Sequence, residues 1–258
     1  MKDLRHFTST LCELMGVPKP ALSVTDSFDE LLDANKNKNK KKKALIYAPD
    51  AFGLHALKHF PALHQQLKEI STHEVELKAV MPSVTPVCFA SLFTGAMPAQ
   101  HGIESYRKPV LKCDTIFDAL LRAGKKVAIV AVKDCSVDTI FKERALDYFS
   151  MYCDSMVTVK ALELLEKNEH DVILVYHQEY DDLLHDTGPF SEVAKWALDR
   201  HIQTYDLLTR KVKEAWKQDY VIAFTPDHGG HIDPKTGLGD HGEDRDEDMA
   251  LRHFYVLN

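Results

Sequence analysis

Residues 171–189 read DVILVYHQEYDDLLHDTGP. DVILVY is a short, compact apolar run, and the chain changes character directly after it. Asp181 and His185 come next, four residues apart, and then Gly188-Pro189. An apolar run bounded in this way predicts a buried strand. The spacing puts Asp181 and His185 on one face of a helical turn, either as a simple helix pair or as two groups offered to a ligand. In an open α/β sheet the ligand crevice lies just beyond the carboxyl ends of the strands. The stretch therefore asks whether other strands of this chain also end in chemistry.

The same alternation runs outward in both directions. ALIYAP (44–49) predicts a strand, followed by a helical stretch from about His55 to Ile70. EVELKAV (74–80) is a further strand, and a helix opens at Thr85. DTIFDALLRAG (114–124) and SMVTVKALELLEKN (155–168) are helical, KKVAIVAV (125–132) is a buried strand, and Ser191 to Trp216 is a long amphipathic helix. YVIAFTP (220–226) and LRHFYVL (251–257) supply the last strands. Strands alternating with helices define an α/β fold with a largely parallel sheet. Upstream, Leu4, Phe7, Leu11, Leu14 and Met15 lie at helical spacing, and DSFDELLDA (26–34) predicts a second short helix. NKNKNKKKK (35–43) holds six lysines and no apolar residue. It is expected to be a solvated loop, rather than a phosphate- or nucleic-acid-binding patch, dividing an N-terminal helical segment (1–34) from a main domain (44–258).

Composition narrows the class. The 258 residues suit one large domain or two small ones, and 45% hydrophobic with 28% charged residues is ordinary for a soluble globular protein. A net charge of −7 argues against a general nucleic-acid binder. The five cysteines are scattered with no Cys-x-x-Cys, which fits reduced thiols better than a disulfide framework. The first residues lack the apolar core of a signal peptide, and no run approaches the ~20 apolar residues that span a membrane. The expected location is the cytoplasm and the expected partner a small molecule.

The residues just beyond each predicted strand are then informative. ALIYAP ends at Asp50, YVIAFTP at Asp227-His228 with Gly229-Gly230 behind them, and His241 lies in GDHGEDRDEDM just before the last strand. Thr85 stands in MPSVTPVCFASLFTGAMPAQHGI (81–103), directly before Pro86. A threonine there is a favoured helix cap, with proline tolerated in the first turn. A hydroxyl at a helix N-terminus is also well placed to meet a phosphate. Singly, each residue has a plain reading as a turn or a solvated loop. Together, three Asp, three His and one hydroxyl have the composition of a site for two divalent cations. Mixed imidazole and carboxylate donors suit Zn²⁺, Mn²⁺ or Fe²⁺ over Mg²⁺ or Ca²⁺. A threonine hydroxyl is a poor nucleophile until a metal activates it.

In these residues the chain resembles the alkaline phosphatase superfamily, in its type I phosphodiesterase/nucleotide pyrophosphatase branch. The matching series is Asp50, then Thr85 with Thr94-Gly95 nine residues on, PAQHGI, Asp181 and His185 before Gly188-Pro189, DHGG from Asp227, and His241-Gly242 with Met249. It runs from about Ala44 to Asn258. The resemblance implies a three-layer alkaline-phosphatase-like core with helices on both faces of the sheet. It also implies that Asp50, Thr85, Asp227 and His228 surround one metal, and Asp181, His185 and His241 the other, with Zn²⁺ first and Mn²⁺ second as candidates. Thr85 would attack phosphorus to give a phospho-threonine that water then hydrolyses.

The departures concern substrate. Nucleotide-processing members place Pro and Asn two and three residues after the nucleophile, where this chain has Val87 and Cys88. Cys88 lacks the Pro-x-Arg of the sulfatase pattern and is expected to be a buried helix cysteine. Tyr106 stands where those members carry a phosphate-binding Asn, which makes Tyr106, Arg107 and Lys108 candidate substrate contacts or a solvated surface turn. No cap-domain insertion is visible, so the core is expected to be open, completed by the N-terminal helices or a second subunit. The expected activity is a phosphodiesterase or nucleotide pyrophosphatase. The alternatives are a phosphomonoesterase, a phosphomutase or phosphotransferase, and a metal-binding protein without catalysis, against which an intact Thr85 argues.

Overall fold

A computed structural model describes residues 2–258. Seven strands form the main sheet: β1 (Lys43–Pro49), β2 (His73–Lys78), β3 (Val127–Val132), β4 (Asp147–Met151), β5 (Val172–His177), β6 (Tyr220–Phe224) and, last in the chain, β9 (Ala250–Leu257). Between β6 and β9, β7 (His231–Ile232) and β8 (Gly239–Asp240) make a separate two-stranded ribbon. The order across the main sheet is β2-β9-β6-β1-β5-β3-β4. β1 runs parallel to β5 and β6, and β3 parallel to β4 and β5. β9 alone reverses, antiparallel to both β2 and β6.

The chemistry of the runs explains this order. β3, β5 and β6 are buried along their whole length, as parallel strands covered by helices on both faces must be. The edge strands β2 and β4 carry exposed or half-exposed residues. The expected α/β fold with a largely parallel sheet is the fold observed. β4 and the short helix Ser136–Ile140 were not expected: DYFSM has neither strict alternation nor an apolar run, and it becomes a strand by pairing with β3. The helical stretch expected from His55 to Ile70 is two helices, Leu54–His59 and Pro61–Ile70. Pro61 has no N–H to continue the first helix and sits comfortably at the start of the second.

The N-terminal helix His6–Met15 lies on the back of the Thr85–Thr94 helix. Phe7 meets Phe93 edge to face at 6.0 Å, and the Thr8 hydroxyl donates to the Leu92 carbonyl at 2.6 Å. Leu4, Phe7, Leu11 and Leu14 belong to the same apolar cluster as the strands. In space, therefore, this segment shares the core of the main body. The lysine-rich stretch is a loop over 36–42, but it is not solvated throughout. Lys41 is buried with its amine on the Asn258 carbonyl, and Lys43 already belongs to β1. Among the described residues no helix is long and apolar enough to cross a membrane.

Candidate active site

Asp50, Asp227, His228 and His241 stand just past strands, and Thr85, Asp181 and His185 stand on helices. Asp50 is the first residue past β1, its N–H donating to the His177 carbonyl at 2.9 Å as if the ladder continued. Asp227 and His228 come after β6 and are fully buried. Asp181 and His185 face inward from the helix Glu179–Thr187, and His241 comes from the loop after β8. Gly229 is required by a close crossing more than by a turn. A Cβ there would lie 2.1 Å from the Glu247 carbonyl oxygen, and one at Gly53 would lie 2.4 Å from the Gly229 Cα. These contacts press the Asp227-His228 loop against the start of the Leu54–His59 helix.

Thr85 does not cap its helix with its side chain. Val84, in extended backbone, takes the cap position, and Thr85 opens the helix with Pro86 next. The Thr85 hydroxyl is thereby left to the site, 3.3 and 3.5 Å from the two Asp50 oxygens and 3.4 Å from His228 Nε2. The capping reading is corrected: the hydroxyl faces inward.

The three histidines share one arrangement. His228 Nδ1 bonds the Gly229 carbonyl at 2.9 Å, His241 Nδ1 the Ser83 carbonyl at 3.0 Å, and His185 Nδ1 the Gly239 carbonyl at 3.1 Å. A carbonyl only accepts, so Nδ1 carries the proton and each Nε2 presents a bare lone pair. Those lone pairs face carboxylates. His228 Nε2 is 3.3 Å from Asp50 and 3.4 Å from Asp227, while His241 and His185 stand 3.4 and 3.6 Å from the same Asp181 oxygen. That Asp181 oxygen (Oδ1), like Asp227 Oδ2, is buried without a hydrogen-bond partner. Acceptor facing acceptor in a buried site is costly unless a cation lies between.

The electrostatics agree. Burial, followed by the charge of Asp50, raises Asp181 and Asp227 well above the usual carboxylate range. Burial lowers His228, and burial with the neighbouring His228 and His185 pushes His241 down to about 2. His228 and His241 are thus already in their ligating form. Two sets of three donors lie within 4.8 Å of one another: Asp50, Asp227 and His228, and Asp181, His228 and His241. All seven expected groups converge, with His228 reaching both sets and His185 at the rim, 40% exposed.

A cavity of about 170 Å³ opens onto Thr85 and Asp50 and is lined also by Tyr106, Lys108, Lys133 and Tyr176. Of the three expected substrate contacts, Tyr106 and Lys108 reach it and Arg107 does not line it. Lys108 is tied to the Asp134 carbonyl at 3.0 Å. Lys133 and Tyr176 went unnoticed in the sequence. Lys133 is the first residue past β3, so the strand-end rule would have found it. Tyr176 looks like one more strand apolar, yet its hydroxyl donates to Asp50. Cys88 is buried in its helix as expected. His101 of PAQHGI is a structural residue, bonding Ser91 Oγ at 2.9 Å and accepting from the Ile103 N–H at 3.2 Å.

A third group of aspartate and histidine, Asp154, His177 and His201, lies nearby. His201 Nδ1 and His177 Nδ1 both bond the Tyr47 hydroxyl, at 2.9 and 3.0 Å. The Tyr180 N–H reaches His201 Nε2 at 3.3 Å, and His177 Nε2 bonds Thr158 at 3.2 Å. Here every ring nitrogen already has a partner.

Fold and site together define an alkaline-phosphatase-like protein. Residues 47–233 match the family of type I phosphodiesterases and nucleotide pyrophosphatases, and the chain belongs to that family. No curated protein sequence matches it. Among solved structures, murine ectonucleotide pyrophosphatase/phosphodiesterase 5, as an inactive threonine-to-alanine variant with AMP, is 20% identical with a TM-score of 0.62, over 76% of this chain and 59% of that one. Phosphonoacetate hydrolase from Sinorhizobium meliloti 1021 in complex with phosphonoacetate is 20% identical with a TM-score of 0.53, over 75% and 59%. BT1596, a 2-O GAG sulfatase, is 12% identical with a TM-score of 0.61, over 84% and 64%. At these identities the likeness is one of fold. The chain spans about three-fifths of the length of the first two.

Proposed function

We propose that this chain is a two-metal phosphoester hydrolase acting through Thr85. The observation that carries the reading is the set of bare Nε2 lone pairs turned toward carboxylate oxygens that have no partner. Asp50, Thr85, Asp227 and His228 would hold one ion, and Asp181, His185 and His241 the other. The mixed nitrogen and oxygen donors favour Zn²⁺, then Mn²⁺. Bound there, two divalent cations would lower the pKa of the Thr85 hydroxyl and offset charge on the phosphoryl oxygens.

The chain's own residues do the rest. Thr85 Oγ1 loses its proton and bonds to phosphorus as the bond to the leaving oxygen breaks, and water then hydrolyses the phospho-threonine, freeing the phosphoryl product and restoring the hydroxyl. Asp50 holds the hydroxyl in place, and Tyr176 holds Asp50. The small cavity suits a small phosphorus-containing ligand, in keeping with the AMP and phosphonoacetate of the two solved structures. Family membership supports a diester or pyrophosphate. A phosphomonoesterase is the second reading, favoured by Lys108 and Lys133 beside Thr85, which would balance the extra charge of a monoester. A cytoplasmic location rests on five cysteines that form no disulfide.

The test is the turnover of bis-p-nitrophenyl phosphate against p-nitrophenyl phosphate by Zn²⁺- or Mn²⁺-loaded protein. Faster diester cleavage is expected. A monoester preference would transfer the reading to the phosphatases, and no turnover of either by protein carrying two ions would overturn it.

A further inference from the structure

The helix that carries Asp181 and His185 has no side-chain cap of its own. Gln178, at its N-cap, makes no capping bond. The cap comes from elsewhere in the chain. Asp154 Oδ1 accepts the Gln178 N–H at 3.2 Å and Asp154 Oδ2 the Glu179 N–H at 2.9 Å. Asp154 opens a different helix, Asp154–Lys167, which packs on β3 and β5. One carboxylate thus clamps the ligand-bearing turn to the sheet, two residues before Asp181.

The choice of residue is informative. A capping acceptor need not be charged, since Ser, Thr or Asn serves equally well. Asp154 keeps its carboxylate although Glu179 and Asp182 are close enough to oppose it, and burial with their repulsion lifts it to about 7. Its nearest basic neighbour, His177 at 3.7 Å, is pushed down to about 3 by burial and carries no compensating charge. What the carboxylate offers beyond a hydroxyl is two acceptors in fixed geometry, which hold successive N–H groups at once.

We propose that Asp154 is a positioning residue for the second metal set, holding Asp181 and His185 in register by capping their helix from outside. The inference rests on the two-metal reading of the site. Partners bonded directly to a metal ligand typically contribute about 10–100-fold to its affinity, and Asp154, acting on Asp181 and His185 through their helix, is expected to act on that scale.

The experiment is a Zn²⁺ titration of metal-depleted full-length chain against a chromophoric chelator, with wild type, Asp154→Ala, Asp154→Asn, His185→Ala and the double variant Asp154→Ala/His185→Ala. In Asp154→Ala one of two ions is expected to bind about 10–100-fold more weakly while the other keeps its affinity. Asp154→Asn, with one oxygen acceptor left, should lose less, and it stands in for Asp154→Ala should that variant not fold. The double variant should lose less affinity than the two single losses multiplied together, because Asp154 acts in part through His185 and both act on one set. Two ions held by Asp154→Ala as tightly as by wild type, or both weakened equally, would overturn the inference and leave the two-metal reading standing. A wild-type chain that binds fewer than two ions would overturn that reading and this inference with it.

Discussion

Two clusters of aspartate and histidine lie side by side at the carboxyl edge of this sheet. Around Thr85, each imidazole gives its proton to a backbone carbonyl and turns a bare nitrogen toward a carboxylate, and two buried carboxylate oxygens have no partner. Around Tyr47, His177 and His201 share one phenol, and their remaining nitrogens meet Thr158 and the Tyr180 N–H. Both are built from aspartate and histidine, and both are largely buried. The difference is in unspent hydrogen-bonding capacity: one cluster is closed, and the other is open toward a cation. In a buried polar cluster, the orphaned acceptor says more about function than the residue types do.

The sharpest way to break this contrast is at the nucleophile. Thr85→Val should reduce phosphoester turnover by at least about 10³-fold, in keeping with removal of a covalent nucleophile, while metal analysis still finds two ions. Turnover that survives would return Thr85 to a structural role. Chelation comes next. At a free-metal concentration about a thousandfold above Kd, each ion contributes roughly 4 kcal/mol of stability, read as a fall in Tm when the ions are removed.

That fall should depend on pH, and the sign is set by the two residue types. Asp181 and Asp227 titrate above the unfolded carboxylate value, so they cost the cation-free protein stability as pH rises through and beyond that value. Burial and the neighbouring His228 and His185 push His241 far below an unfolded imidazole, so it is neutral in the fold. Protons therefore compete with metal mainly at the carboxylates. The gain in Tm on adding Zn²⁺ should be larger at pH 8 than at pH 5.5, and equal gains would remove the carboxylates from the metal shell.

Tyr47→Phe probes the closed cluster. It leaves His177 and His201 each short of a partner and should cost about 1–3 kcal/mol, measured by denaturant unfolding, with metal content unchanged. Loss of an ion would erase the distinction between the clusters. The smallest effect belongs to the rim. Lys108→Ala should raise KM by no more than about fivefold, as for a partly exposed charge, and more for a monoester than for a diester. Identical KM changes for both would make the lysine a bystander.

Much of the open cluster was legible in the sequence because its members sit one residue past an apolar run or beside glycines: Asp50 after ALIYAP, Asp227-His228 before Gly229-Gly230. Strand ends announce themselves locally. Tyr176 does not, since a tyrosine inside DVILVY reads as core until its hydroxyl is seen on Asp50. Asp154 was illegible for a related reason: its partners are N–H groups more than twenty residues away. β4 could not be read because an edge strand is made by its neighbour as much as by its own pattern. The N-terminal helix was visible as a helix, but its place behind Thr85 depends on contacts across the fold, Thr8 with the Leu92 carbonyl and Phe7 with Phe93.

The reversed strand β9 also governs how the chain is made. β2 is complete at residue 78, and apart from a short bridge at its end to Asp3 its strand partner among the described residues begins at residue 250. At roughly 5–20 residues per second, ribosomes leave that edge without its mate for on the order of ten seconds or more. The sheet therefore cannot be completed in the order of synthesis, because its second place from one edge is filled last. Nascent chains stalled before residue 250 should be cut readily by protease within β2, and chains carried through residue 257 and clear of the ribosome should resist. Equal resistance in both would mean that β2 finds shelter before β9 arrives.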